Sequence, residues 1–191
     1  PSPRYGNQFM ALSATIFKAE LTISDMDRGH YATHALVLAR HPSETDERMM
    51  VRLLAFALNA GDSLAFGKGL SDEDEPALWQ KDLTGRIELW IDVGLPDDKA
   101  VRRACGRADR VLVYAYGRGT ERWWQNARAA LERPDNLAVF ELPQAATQAL
   151  AGLAQRTMQL QCTVQDGTAW ITDGDRTVEL APAVLSAARK P

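Results

Sequence analysis

Apolar and polar side chains alternate over residues 13–24 and again over residues 31–40. A period of two predicts β-strands with one buried face, and the turn-forming residues 25–29 between them predict a hairpin. The same alternation returns over residues 157–165 and 168–172, which are joined by Asp166-Gly167, a dipeptide typical of tight hairpin turns. A further strand is predicted over residues 177–180. The hairpins at the two chain ends therefore extend a central sheet or form a second one.

The middle of the chain changes to a mixture of helical and strand patterns. Met50, Leu54 and Leu58 form one helical stripe, which predicts a helix over residues 43–59. Further helices are predicted over residues 99–108, 121–132 and 144–154, and strands over residues 63–70, 87–93, 110–116 and 137–142. Pro76 is expected to open a short helical turn through residue 81. This order predicts an α/β fold, a mixed β-sheet flanked by helices.

The strand over residues 87–93 is the stretch with the clearest chemical potential. Its alternation predicts a core face formed by Ile87, Leu89, Ile91 and Val93. The opposite face then has two carboxylates around a tryptophan, namely Glu88, Trp90 and Asp92. Gly94 and Pro96 end the strand, and Asp97 or Asp98 caps the next helix. Acids on a strand that leads into a helix are typical of a metal or phosphate site. They are more often found on a surface strand with outward charges.

The charges are unevenly distributed along the chain. Residues 41–94 carry eleven acidic and five basic side chains, whereas residues 95–135 carry eight arginines. An acidic segment beside an arginine-rich one can hold a metal next to a phosphate-binding surface, although solvated helix faces give the same count. The net charge of −3 argues weakly against nucleic-acid binding by bulk attraction.

Two further groups of acids are candidates for a site. Ser43 is the predicted cap of the first helix, with Asp46 at the capping-box position, and helical spacing places Glu47 at the end of the buried stripe. Residues 72–75 are four consecutive acids, whose repulsion is relieved by a cation or by exposure to water. Neither group is decisive alone.

His30 and His34 have the four-residue spacing that clusters metal ligands on a helix. On a strand this spacing separates the residues by about 13 Å. The sequence therefore predicts that these histidines do not share a metal ion.

Length and composition indicate one domain of ordinary size with a real core. Residues 1–9 are polar and aperiodic and look like an added tail before a natural start at Met10, which leaves residues 10–191 as the domain. Cys105 and Cys162 suit a reducing compartment, no apolar run is long enough to span a membrane, and a cytoplasmic location is expected.

Several separate motifs resemble the YaeQ family of bacterial proteins, over essentially the whole chain from Met10. These are His41-Pro42-Ser43-Glu44-Thr45, Glu47-Arg48-Met49-Met50, Asp74-Glu75-Pro76, Trp79, Leu89-Trp90-Ile91-Asp92-Val93-Gly94-Leu95-Pro96-Asp97, Arg156-Thr157-Met158 and Trp170. The family is understood as a variation on the PD-(D/E)XK nuclease fold. The resemblance therefore implies a PD-(D/E)XK nuclease-like core with an acidic pocket, to which the end hairpins are added.

The resemblance also implies roles for particular side chains. In such nucleases carboxylates hold Mg²⁺ and a lysine helps to position the attacking water. The implied metal ligands are Asp92, Glu75 and Glu47. Glu44, Asp74 and Glu88 are neighbouring or substitute acids, and the lysine is supplied by Lys81 or Lys68. Two departures touch the chemistry: Ala77 replaces the aspartate of the motif, and Gly94 replaces its lysine.

Two functions follow as hypotheses. The departures from the motif favour a degenerate site that binds nucleic acid or a protein without cleaving it. The alternative is a Mg²⁺-dependent phosphodiesterase, in which a carboxylate-bound metal activates water. A plainer interpretation assigns Glu44 and Glu47 only to stabilising a helix N-terminus.

Overall fold

Two β-sheets and four helices form the protein in the computed structural model, which describes residues 13–68, 70 and 74–189. The predicted tail lies outside these residues. In chain order the elements are β1 (Thr15–Asp25), β2 (His30–Arg40), α1 (Asp46–Asn59), β3 (Leu64–Phe66), β4 (Leu78–Lys81), β5 (Ile87–Val93), α2 (Asp98–Cys105), β6 (Ala108–Ala115), α3 (Thr120–Leu131), β7 (Leu137–Glu141), α4 (Gln144–Ala151), β8 (Thr157–Gln165), β9 (Thr168–Thr172), β10 (Thr177–Leu180) and β11 (Ala183–Ser186).

The hairpins from the two chain ends form a separate five-stranded sheet in the order β10-β9-β8-β1-β2. Strands β1 and β8 are parallel, and the other pairs are antiparallel. Asp27 joins the two hairpin turns, because its carboxylate accepts hydrogen bonds from the amides of Asp166 at 2.8 Å and Gly167 at 2.9 Å. One face of β1 is buried, as its alternation predicted.

The second sheet has six strands in the order β11-β7-β6-β5-β4-β3. Its central strands β5, β6 and β7 are parallel, and β3, β4 and β11 pair antiparallel. Residues 78–81 form strand β4 rather than the predicted helical turn, because they pair with β5. Strand β11 was not predicted at all. A mixed sheet flanked by helices is confirmed.

Helix α1 lies between the two sheets and is buried on every side from Met49 to Ala57. Thr45, rather than the predicted Ser43, caps it, since the Thr45 hydroxyl accepts a hydrogen bond from the Arg48 amide at 3.1 Å. At the other end Arg28 donates to the Ala60 carbonyl at 3.0 Å. A cationic side chain at a helix C-terminus satisfies carbonyls that have no helical partner.

Helices α2 and α3 cover the outer face of the six-stranded sheet and enclose a second core. Because helices cover both faces of this sheet, β6 is apolar along most of its length. None of the helices within the described ranges is long and apolar enough to cross a membrane.

A bulge in β5 changes the predicted alternation. The register with β4 shifts between Leu89 and Ile87, so that Glu88 is the extra residue. Ile87 consequently packs with Trp90 in the outer core rather than with Ile91. The prediction that Ile87 shares a face with Ile91 is therefore wrong, and Glu88 does not follow the face of Asp92.

Candidate functional site

A cleft of about 710 Å³ lies where β5 ends and α2 begins. Asp92 and Glu75 contribute carboxylates to its walls, and Arg48 and Arg103 contribute guanidinium groups. These four side chains come from β5, the loop before β4, and helices α1 and α2. The acidic and the arginine-rich segments of the sequence therefore meet at this cleft.

The local backbone explains why Asp92 stands at the mouth of the cleft. Gly94 ends the strand with a φ of +95°, a conformation that residues other than glycine rarely adopt, and its amide donates to the Tyr114 carbonyl at 2.9 Å. Asp97 then caps α2, as one of the two predicted alternatives, by accepting from the amides of Lys99 and Ala100. A lysine at position 94, where the nuclease motif has one, would be strained.

Asp92 is a partly buried carboxylate with an uncharged hydrogen-bond donor. The Trp90 indole Nε1 donates to Asp92 Oδ2 at 2.8 Å. Burial raises the pKa of Asp92 above its ordinary value, although Trp90, the Ala77 backbone and the charge of Arg48 all act to lower it. Asp92 makes no ion pair within the described part of the chain. It is an acid whose charge the protein leaves largely uncompensated.

Glu75 reaches the same cleft from the loop that precedes β4. Its Oε2 accepts the Lys68 amide at 3.0 Å, and its Oε1 lies 3.4 Å from Lys68 Nζ. The lysine beside the proposed site is thus Lys68. Asp72 and Glu73, the other acids of the predicted cation-binding loop, lie outside the described residues.

The arginines of the cleft differ in their partners. Arg48 Nη1 donates to Glu44 Oε1 at 2.8 Å, whereas the side chain of Arg103 makes no hydrogen bond or ion pair with any described residue. Arg107, which follows the C-terminal end of α2, donates to the Asp74 carbonyl at 3.2 Å and lies over the Trp90 ring at 5.1 Å. The cleft therefore offers cationic groups on the α2 side.

Two of the predicted acids are held by other partners. Glu47 accepts a hydrogen bond of 2.7 Å from the Thr147 hydroxyl on α4 and does not line the cleft. Glu44 is only 6% exposed and receives Arg52 Nε and Nη2, both at 2.8 Å. Both acids are thus tied into the packing of α1.

Glu88 and Lys81 are also placed away from the cleft. Glu88 accepts from Gln80 Nε2 at 2.8 Å, and Lys81 Nζ lies 3.4 Å from the centre of the Trp79 ring. Of the predicted residues, Asp92 and Glu75 are brought together, and Asp74 lies beside them in a small adjoining pocket.

The predicted cluster of three carboxylates is not found within residues 13–68, 70 and 74–189. No group of three or more histidine, cysteine, aspartate or glutamate side chains there is arranged to hold a metal ion. Ala77, at the aspartate position of the nuclease motif, is 2% exposed and packs in the core beside α1. What the structure supplies is two acids with flanking arginines.

Neither Arg48 nor Arg103 was predicted as a member of the site. A signal for Arg48 was present, since it follows Glu44 by four residues in the first turn of α1. Arg103 was visible only as one of eight arginines. Its place in the cleft depends on how α2 packs.

The chain is similar in sequence to known proteins of one family. A protein-family model described as YaeQ protein matches residues 10–182. The uncharacterized protein YaeQ of Salmonella typhi is 44% identical over 172 residues, covering 90% of this chain and 95% of the relative. The uncharacterized protein YaeQ of Escherichia coli strain K12 is 41% identical over the same length and coverage.

Solved structures show the same similarity. The crystal structure of YaeQ protein from Xanthomonas axonopodis pv. citri matches with a TM-score of 0.89 at 53% identity, covering 92% of this chain and 99% of that one. The crystal structure of YaeQ protein from Pseudomonas syringae matches with a TM-score of 0.88 at 39% identity, covering 92% and 98%.

Proposed function

This chain belongs to the YaeQ family, and from that premise we propose that its cleft binds the phosphodiester backbone of a nucleic acid through Mg²⁺. Asp92 and Glu75 hold the metal ion, and Arg48 and Arg103 contact the phosphate. The proposal includes a PD-(D/E)XK-like core. Its support is the order of α1, the antiparallel strands β3, β4 and β5, then α2 and the parallel strand β6.

One observation carries the proposal: Asp92 is a partly buried acid without an ion pair among the described residues, in a cleft with a second carboxylate. Burial of an uncompensated charge is unfavourable, and a bound cation relieves that cost. Mg²⁺ is commonly held by one or two carboxylates together with water and substrate phosphate oxygens. Two acids are therefore enough when the ligand supplies further oxygens.

The arginines support a phosphate ester as the ligand. A guanidinium group matches the geometry of phosphate oxygens and donates two parallel hydrogen bonds to them. Arg103 lies in the last turn of α2 and Arg107 follows the end of the helix, so that two guanidinium groups lie on the α2 side of the cleft. The protein has a net charge of −3. Attraction to nucleic acid is therefore local to this surface and weakens as salt is added.

The test is a pair of titrations with the wild-type protein and Asp92→Asn. Calorimetry measures Mg²⁺ and Mn²⁺ binding, and fluorescence anisotropy then measures binding of labelled single- and double-stranded DNA and RNA with Mg²⁺ or EDTA. We expect Asp92→Asn to abolish the heat of metal binding in calorimetry and the Mg²⁺-dependent part of nucleic-acid binding. Asp109→Asn is the matched control, because Asp109 is an exposed acid paired with Arg86.

Either of two results overturns the proposal. One is no metal binding by the wild-type protein, and the other is equal metal affinity in Asp92→Asn. If the protein binds metal but binds no nucleic acid under any condition, the proposed ligand is wrong and the proposed metal site stands.

The position of Lys68 favours a second function, Mg²⁺-dependent hydrolysis. Its ammonium group lies 3.4 Å from Glu75, so a water molecule on the metal would have a cationic neighbour. A metal ion held by Asp92 and Glu75 would make its bound water more acidic and so would supply a nucleophile for phosphorus, while the displaced oxygen would take up a proton.

Lys68→Met separates hydrolysis from binding. If the cleft hydrolyses phosphodiesters, this variant loses cleavage of labelled DNA or RNA on a denaturing gel and keeps Mg²⁺ binding. Wild-type protein that binds nucleic acid and Mg²⁺ without cleavage identifies the site as a binding site alone.

A further inference from the structure

A pair of histidines lies far from the cleft, on the inward face of β2. His30 Nε2 and His34 Nε2 are 3.0 Å apart, and their rings are stacked with centroids 5.3 Å apart. The strand spacing predicted separated side chains. That prediction is wrong because it considered the backbone alone, whereas the two side chains extend toward each other.

The separation of the two nitrogens matches that of two ligands on one metal ion. With metal–nitrogen bonds of about 2.05 Å, adjacent ligands are about 2.9 Å apart at a right angle and about 3.3 Å apart in a tetrahedron. The observed 3.0 Å lies between these values. A metal ion bound by both nitrogens therefore keeps their separation close to the observed one, and each ring turns so that its lone pair points at the ion.

We propose that His30 and His34 form a two-histidine site for a late first-row transition-metal ion, namely Zn²⁺, Ni²⁺ or Cu²⁺. Residues 13–68, 70 and 74–189 place no third metal-binding side chain beside the pair, so water molecules complete the coordination. Imidazole suits these metals and not Mg²⁺. The site is thus distinct in chemistry from the cleft.

The surroundings hold the pair ready for a metal. Phe56 of α1 meets the His34 ring edge to face with centroids 5.1 Å apart, which restricts the orientation of the ring. Both histidines are partly exposed, so a metal ion can reach them.

The site lies at the opposite end of α1 from the cleft. Phe56 is in the last turn of α1, and Asp62 follows the helix, whereas Arg48 in the first turn lines the cleft. A helix of 14 residues is about 21 Å long. Occupation of one site therefore does not require the other, and the two are testable separately.

The experiment is calorimetric titration of the full chain with NiCl₂ and with ZnCl₂. We expect one ion per chain for the wild-type protein, and binding weaker on the order of tenfold or more in each of His30→Gln and His34→Gln. His41→Gln is the matched control, because His41 is the third histidine of the chain and lies outside β2. Asp92→Asn should bind Ni²⁺ like the wild-type protein.

Spectroscopy shows whether both rings bind the same ion. Electron paramagnetic resonance of the Cu²⁺ complex should show two coordinated imidazole nitrogens in the wild-type protein and one in each single variant. Circular dichroism establishes that the variants are folded. Wild-type protein that binds neither ion, an unchanged affinity in either β2 variant, or an equal loss in His41→Gln overturns the proposal.

Discussion

Two carboxylates near the start of α1 have opposite environments. Glu44 receives three N–H groups at 2.8 Å, two from Arg52 and one from Arg48. Asp92 is also shielded from water, but its donors are uncharged, namely the Trp90 indole at 2.8 Å and the Ala77 backbone. The protein thus buries one acid as a completed ion pair and the other without a cationic partner among the described residues.

This difference separates a structural acid from a candidate functional one. Glu44 and Arg52 neutralise each other within the packing of α1, and Arg52 also donates to the Ala39 carbonyl at 3.1 Å, which links the helix to β2. A group buried with incomplete compensation costs stability, and such groups concentrate at functional sites. The comparison therefore directs attention to Asp92 rather than to the more deeply buried Glu44.

The largest effect is expected from breaking the ion pair. Arg52→Met leaves Glu44 buried with Arg48 as its remaining cation, so we expect a loss of about 3 kcal/mol in the free energy of unfolding. Urea denaturation at pH 7 measures it.

The control for this change is Glu44→Leu combined with Arg52→Met, which removes both charges together. We expect the double variant to recover most of the loss, because apolar side chains can replace a buried ion pair at little cost. A loss below about 1 kcal/mol in the single variant would contradict the assignment of Glu44 as a structural acid.

A smaller effect is expected when Asp92 loses its donor. Trp90→Phe keeps an aromatic ring but removes the indole N–H, so we expect a loss of about 1–3 kcal/mol and a further rise in the pKa of Asp92. Carbon-13 NMR of the aspartate carboxyl groups follows that pKa. Trp124→Phe is the control for ring size, because the indole N–H of Trp124 makes no hydrogen bond among the described residues. An unmoved Asp92 titration would exclude Trp90 as its positioning residue.

Removing the charge of Asp92 should stabilise the protein. Because the pKa of Asp92 is raised on folding, the native state binds more protons than the unfolded state between the two pKa values. The stability of the wild-type protein therefore falls as the pH rises from the unfolded pKa through the folded pKa. At pH 7.5 we expect Asp92→Asn to be more stable by about 0.5–1 kcal/mol.

Unfolding curves between pH 3 and pH 8 measure this difference. It should shrink toward acid pH, where wild-type Asp92 is protonated, and Asp109→Asn should show no comparable gain. Saturating Mg²⁺ should stabilise the wild-type protein more than Asp92→Asn, because a ligand stabilises the state that binds it. Asp92→Asn that is less stable at pH 7.5 would show that Asp92 is compensated.

The fold could be predicted where local pattern and tertiary environment agree. Alternation identified β1 and β2 because one face of each is buried. It failed at Ile87, since the bulge at Glu88 is set by pairing with β4. It also failed at residues 78–81, where the local signal of Pro76 is weaker than the pairing with β5.

The site could be predicted only in part for the same physical reason. Asp92 was identifiable because it stands at the end of an apolar strand before a helix cap. That Glu47 bonds Thr147, a residue 100 positions away, depends on how α4 packs on α1. The spacing of residues within one helix or strand cannot predict a contact between two distant elements. The estimate that separated His30 from His34 likewise used only the rise of the strand backbone and left out the length of the side chains.

The smallest effect distinguishes the two lysines that the sequence offered to the site. Lys81 Nζ lies over the Trp79 ring at 3.4 Å, and an exposed contact of this kind contributes about 0.5–1 kcal/mol. Lys81→Ala should therefore lower stability by about that amount and leave Mg²⁺ affinity unchanged. Lys68→Ala should instead strengthen Mg²⁺ binding severalfold, on the order of 1 kcal/mol, because a cation competing for Glu75 is removed. Calorimetry with both variants measures the two affinities. If Lys81→Ala changes the Mg²⁺ affinity and Lys68→Ala does not, then Glu75 is not a ligand of the metal. Asp92 would then be the only acid of the cleft that differs from the ion-paired Glu44 in being available to a metal ion.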